Sequence, residues 1–262
     1  MNQADSFRYN AYVAGLYDTY VNTTFDVPFF LNEAKGVSGE VLELMAGTGR
    51  VSIPLIKAGV RLTCVDRSSA MLTILEEKLE RENLSASVYR MDVRDLNLGK
   101  QFELAFIPFH SFSELLAESD QRKTLTGIYE HLSESGRFIC ALHNPALRLR
   151  RVDGQLRLWR KCDLDHDEGM LLVWGLEEFD RATRVVHSQQ FIEEYDASGV
   201  MQRRTLLELR FRPLNREEFE ELARSTGFRA IALYGDYSYS EFQEDTSRSM
   251  LWVLGKPPVA RG

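Results

Sequence analysis

The chain has 262 residues, 44% hydrophobic and 27% charged, which suits one large domain or one domain with a sizeable insertion. A formal net charge of −7 argues against a generally nucleic-acid-binding surface. Cys64, Cys140 and Cys162 have neither the number for a disulfide framework nor the spacing of a metal site, and fit a reducing, cytoplasmic compartment. Met1–Asp5 lacks a basic region and an apolar run, and no apolar stretch reaches bilayer length, so neither signal peptide nor membrane contact is expected.

Residues 6–35 are rich in aromatics. The spacing of Tyr9, Tyr12, Leu16 and Tyr20 predicts a helix packed on the domain edge. Val41, Leu42, Leu44 and Met45 then suit a strand covered on both faces. Gly47 and Gly49 allow a tight turn and close approach by a ligand. A helix over Arg50–Ala58, closed by Gly59, would offer its free N–H groups to an anion. Ser52 stands where the dinucleotide fingerprint wants its third glycine, and the other phosphate-cradling motif is absent. Glu43 would repel a diphosphate and suits a ligand carrying positive charge.

Three further apolar runs follow, Arg61–Asp66, Ala86–Val93 and Phe102–His110, the first two closing on the acids Asp66 and Asp92. Ser68 or Ser69 can cap a helix whose buried stripe is Met71, Leu72, Leu75 and Leu79. Another helix is predicted over Ser119–Leu132, closed by Ser133–Gly136, before a fifth strand over Arg137–Leu142. His143 stands at the carboxyl end of that strand, the edge where open parallel sheets bind ligands.

The run E-L-x-x-G-T-G-R at 43–50 resembles the first motif of class I S-adenosylmethionine-dependent methyltransferases, and the acid-ended runs after it match the family's order over roughly residues 41–143. The resemblance implies a Rossmann-like α/β fold: a seven-stranded, mostly parallel sheet with helices on both faces and the last strand antiparallel. It implies S-adenosylmethionine as cofactor and S-adenosylhomocysteine as product. Carried onto this chain, the cofactor-binding set is Tyr17, Glu43, Met45, Ala46, Gly47, Gly49, Arg50, Asp66, Arg67, Met71, Asp92, Val93 and Ile107. Asp66 would take the ribose hydroxyls, Asp92 the adenine amino group, the Val93 N–H a ring nitrogen, and Met71 would lie against the adenine. Met71 is equally suited to plain core packing. Tyr17, in a Tyr17-Asp18 pair of the N-terminal cover, would set its ring near the sulfonium as a cation–π contact.

Between residues 150 and 212 the pattern turns to period two, with runs near 155–162, 170–179, 184–195 and 201–212. They predict an antiparallel sheet inserted after the fifth strand. The expected organisation is an N-terminal helical cover at 1–36, a cofactor-binding core at 37–149 and 213–262, and the inserted sheet at 150–212. This order resembles the family's small-molecule branch, including sugar N-methyltransferases and glycine N-methyltransferase-like enzymes. The surplus of alternating apolar residues suggests that the insert lines the acceptor site or makes a homodimer contact.

His110, at the end of the fourth strand, is the first candidate for a general base, with a pKa that could suit proton removal near neutrality; a hydrogen-bonded wall histidine is the alternative. His143 is the second candidate. Asp163–Glu168 lacks the glycine and glutamate of a calcium loop and reads as an acidic hairpin turn, so no metal is expected. Arg148, Arg150, Arg151, Arg157, Arg160 and Lys161 form a local basic cluster, the one feature favouring nucleic acid or an anionic substrate; charge protecting a sheet edge is its other reading. The fourth strand, Ile107-Pro108-Phe109-His110, lacks the [DN]-P-P-[YFW] motif of amino-directed nucleic-acid methyltransferases. The expected activity is methyl transfer to nitrogen or oxygen of a small molecule. The alternatives are a non-catalytic S-adenosylmethionine-binding protein, a nucleic-acid methyltransferase, and an NAD-dependent oxidoreductase that Ser52 and Glu43 disfavour.

Overall fold

The computed structural model describes residues 10–164 and 169–258. Tyr9 and the Asp165–Glu168 part of the expected acidic turn lie outside the described residues.

The main sheet combines β1 (Val41–Leu44), β2 (Leu62–Asp66), β3 (Ser87–Arg90), β4 (Phe102–Ile107), β5 (Leu132–His143), β10 (Arg229–Tyr234) and β11 (Ser249–Gly255). Their order is β10-β11-β5-β4-β1-β2-β3. Strands β3 to β5 in this order pair in parallel, and β11 runs antiparallel to both β5 and β10. Alternate strand residues feed two cores. Ala105, Ile107, Phe138 and Trp252 pack with α5 (Glu118–Glu130) and α7 (Arg216–Ser225). Leu104, Phe106, Ile139 and Leu251 pack with α2 (Val27–Lys35), α3 (Ser52–Lys57) and α4 (Ser69–Arg81). Strands buried on both faces need such near-continuous apolar runs. Local chemistry sets the helix starts: Ser68 accepts from the Met71 N–H, and Asn215 with Glu218 forms a capping box.

Two segments differ from expectation. The helix expected over Arg50–Ala58 is only Ser52–Lys57. Pro54 has no N–H for the Arg50 carbonyl, so the regular helix starts only at Ser52, with Pro54 in its first turn. Ser133–Gly136, expected to close a helix, lies within β5. The Phe102 N–H donates to the His131 carbonyl, so the chain leaves α5 already paired with β4, and a register irregularity between Phe102 and Leu104 absorbs the extra residues.

The second sheet is an antiparallel meander of β6 (Arg157–Asp163), β7 (Met170–Asp180), β8 (Val185–Tyr195) and β9 (Met201–Phe211). Burial alternates along β7, with Leu171, Val173, Gly175 and Glu177 on the covered face. Helix α1 (Ala11–Tyr20) lies over one end of that face, where Val13 and Tyr20 join Leu171, Val173, Ile192 and Leu207 in a third core. Part of the insert's apolar surplus is thus covered inside the chain, while Leu156, Leu158, Val200, Met201 and Leu206 remain exposed. The short helix that leads to the insert, α6 (Pro145–Arg148), is capped by Asn144, whose amide also donates to the Glu244 and Ser247 carbonyls of the β10–β11 connection. Among the described residues no helix is long and apolar enough to cross a membrane.

Candidate functional site

The carboxyl ends of β1, β2, β4 and β5 open into a cavity of about 1770 Å³ whose far wall is the uncovered end of the inserted sheet. Crossovers of a parallel sheet leave such a crevice at this edge. Three non-glycine residues here have left-handed backbones: Met45 (φ 58°) after β1, and Phe109 (φ 56°) and His110 (φ 65°) after β4. Strain of this kind is held only where the surroundings over-determine it, and it gathers at functional sites.

Gly47 also has a positive φ, 58°, and a Cβ there would meet no atom within 4 Å. The turn therefore presents bare backbone to the cavity. Gly49 serves a different purpose: at φ 82° its Cβ would stand 2.4 Å from Leu75 Cδ1, so it lets the turn pack on α4. Asp66 closes β2 beside the turn. Its carboxylate accepts from the Gly47 N–H and the Ser68 N–H, both at 2.8 Å. Burial raises its pKa, and those two N–H groups pull it back.

The N-terminal segment is tied onto this turn by charge. Asp18 on α1 accepts from Thr48 Oγ1 at 2.7 Å and pairs with Lys78 Nζ at 2.5 Å, while Lys78 also donates to the Thr48 carbonyl. Arg50 makes a two-pronged pair with the buried Asp26, at 2.5 and 2.6 Å, and donates to the Thr23 carbonyl. Its guanidinium lies 4.5 Å above the Phe109 ring centroid. A buried, bidentate pair of this kind fixes geometry.

A recess of about 40 Å³ runs under the turn, lined by Tyr17, Glu43, Ala46 and Arg50 among others. Glu43 is fully buried there and accepts from Ser52 Oγ at 2.6 Å. Burial pushes its pKa up to about 8, against the opposing pull of Ser52 and Arg50. Below that pH the group is a neutral carboxyl in a site that would favour its ionisation if a cation arrived.

At the end of β4, His110 stacks on His143 from β5, centroids 3.6 Å apart, and His143 continues toward Phe211 of β9 at 6.3 Å. Burial pushes His110 down to about 4, helped by Arg148 and Arg50, and holds His143 well below its ordinary value. The expected pKa near neutrality is therefore not met: His110 is an uncharged ring and a weak proton acceptor. Its Nδ1 is buried without a hydrogen-bond partner. The hydroxyls of Tyr20 and Tyr237, two other cavity residues, are likewise buried and unpartnered. Tyr17 lines both cavity and recess, with its hydroxyl held in the phenol form by burial.

The structure thus gathers Tyr17, Met45, Gly47, Asp66, Arg67, Met71, Val93 and His110 around one cavity, and Glu43, Ala46 and Arg50 around its recess. It does not place Gly49, Asp92 or Ile107 on either lining. The Ile107 side chain is core, and Asp92 caps the short turn Val93–Asp95 while chelated by Arg94, which holds its carboxyl low. Sequence reasoning missed Glu114 and Tyr237. Glu114 reaches the cavity through the 3₁₀ turn Ser111–Glu114, which the left-handed His110 starts and no motif announces. Tyr237 carried a faint signal, the tyrosine-rich run Tyr234–Tyr239 between the last two strands.

Residues 41–136 match a family described as a methyltransferase domain. The chain is 26% identical over 253 residues to the glycine/sarcosine N-methyltransferase of Aphanothece halophytica, covering 92% of this chain and 89% of that one. Its fold is similar to that of an S-adenosylmethionine-dependent methyltransferase from Clostridium acetobutylicum, with a TM-score of 0.78 at 20% identity over 95% of this chain and 100% of the other. A sugar N-methyltransferase from a Streptoalloteichus species superposes with a TM-score of 0.76 at 16% identity, covering 98% and 97%.

Proposed function

The chain belongs to the class I S-adenosylmethionine-dependent methyltransferases, and from that premise we propose that it methylates the amine of a small molecule held between its two sheets. The observation that carries this reading is the cavity of about 1770 Å³. A single ligand of ordinary size occupies roughly 300–1,000 Å³, so the space suits a cofactor and an acceptor side by side.

The inner half fits S-adenosylmethionine. The bare backbone at Gly47 leaves a cradle that a side chain would fill. Asp66, with two oxygens already oriented by N–H donors, keeps lone pairs for ribose hydroxyls. Met71 and Val93 supply an apolar slot for a flat ring. Glu43 is the partner for a cation in the recess, and Tyr17 offers a ring face above it. When bound, the cofactor supplies an electrophilic methyl group that an uncharged nitrogen takes in line, leaving S-adenosylhomocysteine.

What remains for the chain is alignment and exclusion of water, which in favourable cases supplies ~7–11 kcal/mol of barrier lowering. The tethered α1 and the Phe109–His110–His143–Phe211 row of rings are placed for both tasks. A hydroxyl acceptor would need a base able to hold its proton near neutrality. His110, pushed down to about 4, does not supply one, whereas a neutral amine has its lone pair available. The N-methyltransferase relatives agree with that choice.

Calorimetry with S-adenosylhomocysteine and with NAD tests the cofactor; binding of the first alone is expected. Turnover with panels of amines and phenols, read as S-adenosylhomocysteine release, tests the acceptor. Failure to bind S-adenosylhomocysteine would overturn the reading, and turnover on phenols alone would replace nitrogen by oxygen.

A further inference from the structure

We propose that Ser52 is a positioning residue for the cofactor: its hydroxyl holds one oxygen of Glu43, turns the other to the recess, and steadies the carboxylate that meets the cofactor's cation. The inference rests on the recess holding that cation. Glu43 belongs to β1, where its register partners are Cys64 of β2 and Phe106 of β4. Both partners belong to the apolar core under α2, α3 and α4, so the strand carries a carboxyl on an otherwise apolar face. The group is buried and lines the recess. Among the described residues it has one hydrogen-bond donor, Ser52, whose Oγ stands 2.6 Å from Oε2. Oε1 is left for a ligand.

The hydroxyl has no other evident purpose in the local structure. Ser52 is the first residue of α3 and does not cap it; Val51 holds the cap position, and no side chain makes a cap bond there. Packing alone would be met by a smaller residue, since this is the place where the dinucleotide fingerprint has its third glycine. Ser52 is itself fully buried, and a buried hydroxyl needs a partner. The charges around Glu43 do not replace that bond. Burial disfavours the carboxylate, and among the groups that oppose burial Ser52 pulls hardest, ahead of Arg50. Asp26 and Asp66 side with burial, and Arg50 is itself bound to both oxygens of Asp26. The Tyr17 phenol and the Cys64 thiol are held protonated by burial and bring no charge.

The test measures S-adenosylhomocysteine affinity by calorimetry from about pH 6 to 10. It compares wild type, Ser52→Ala, Ser52→Thr and Glu43→Gln, with Ser52→Ala also placed on Glu43→Gln. A hydrogen bond to a charged group is strong enough to move a carboxyl by about one to two pH units. Wild-type Glu43 ionises at about 8. In Ser52→Ala the dissociation constant should therefore rise about tenfold or more below that pH, and the gap should close above about pH 9. Taking the ratio to wild type at each pH removes the ligand's own titration. A residue that only packed would cost the same at every pH. Ser52→Thr keeps the hydroxyl and should restore the wild-type profile. On Glu43→Gln, Ser52→Ala should change affinity by less than about twofold, because Ser52 acts through the carboxylate. Melting of the cofactor-free proteins gives a second readout: Ser52→Ala should fall further behind wild type as pH passes 8, where the carboxylate loses its donor. Unchanged affinity in Ser52→Ala, a loss independent of pH, or an equal loss on Glu43→Gln would overturn the proposal and leave wild-type binding intact. Failure of the wild type to bind S-adenosylhomocysteine would overturn the methyltransferase reading instead, with the melting profiles still deciding whether Ser52 governs Glu43.

Discussion

The inner wall of the cavity is made largely of backbone: the bare turn at Gly47, the N–H groups fixed by Asp66, and three left-handed residues after β1 and β4. The outer wall is made of side chains standing at alternate positions of β7, β8 and β9, among them Glu177, Ser188, Gln190 and Phe211. Backbone geometry tolerates few residue types, so the inner wall admits one kind of ligand. Strand side chains can be exchanged without disturbing the ladder that carries them, so the outer wall is where relatives sharing this fold can differ in acceptor. Substitutions on the two walls should therefore separate, the inner ones altering cofactor affinity and the outer ones altering acceptor KM.

The largest effect is expected at the turn. Gly47→Val puts a β-branched side chain at φ 58° and into the open cradle. Strain costs on the order of 1–2 kcal/mol of stability, while cofactor affinity should fall about a hundredfold or more, since the cradle is filled. Gly49→Ala should do the reverse, because its Cβ would collide with Leu75 rather than with a ligand. Melting curves beside cofactor titrations decide it; a folded Gly47→Val that binds normally would break the division between the walls.

Asp66→Ala comes next. Charged hydrogen bonds are worth about 1.5–3 kcal/mol, so the dissociation constant for S-adenosylhomocysteine should rise at least about tenfold. The loss is indirect as well as direct, because the Gly47 and Ser68 N–H groups lose their acceptor. Asp66→Asn should cost less, keeping one acceptor oxygen. An unchanged dissociation constant in Asp66→Ala would remove this carboxylate from the site.

Why this wall was readable in sequence and the other was not follows from range. Gly47, Asp66 and the Ser68 cap act within a strand, a turn and a helix start, so their residue types declare their conformations. The seven-stranded sheet was implied by the family resemblance that the acid-ended runs carry, and the inserted sheet by period two. Glu114 and the covering of the insert by α1 depend on contacts between distant segments, which no local pattern encodes, and Tyr237 had only the tyrosine-rich run at 234–239. Asp92 has the type and place that the resemblance implies, and its pairing with Arg94, two residues on, is a side-chain contact that the run of residue types does not announce. His110 was found by position, whereas its lowered pKa comes from burial and from Arg148, more than thirty residues away.

Glu43 gives a smaller, graded effect. Its folded pKa of about 8 lies above its unfolded value, so the folded state binds the extra proton. Stability of the cofactor-free protein should then fall as pH rises from about 4.5 to 8 and level off above. A bound cation favours the carboxylate, so binding releases a proton and cofactor affinity should climb toward pH 8, by at most about tenfold per pH unit. Glu43→Gln should flatten both profiles. A wild-type affinity independent of pH between 6 and 8 would show that no cation meets Glu43.

The smallest effect concerns His110, and it tests the acceptor chemistry on the border between the walls. A general base removed from a site costs about 10²–10⁴-fold in turnover. Because burial holds His110 near 4, its ionisation lies below the working range, and wild-type kcat should not vary with pH through that group between 6 and 9. A rise of kcat/KM with pH is still expected for an amine acceptor, but it belongs to the acceptor's own ammonium and should shift when acceptors of different basicity are compared. His110→Gln should keep that profile, lower turnover only a few-fold, on the order of 1 kcal/mol, and chiefly raise the acceptor KM through loss of the stack on His143. If the variant instead lost more than about a hundredfold in kcat together with the pH dependence, His110 would be the base, the acceptor would be one that gives up a proton during transfer, and nitrogen would yield to oxygen.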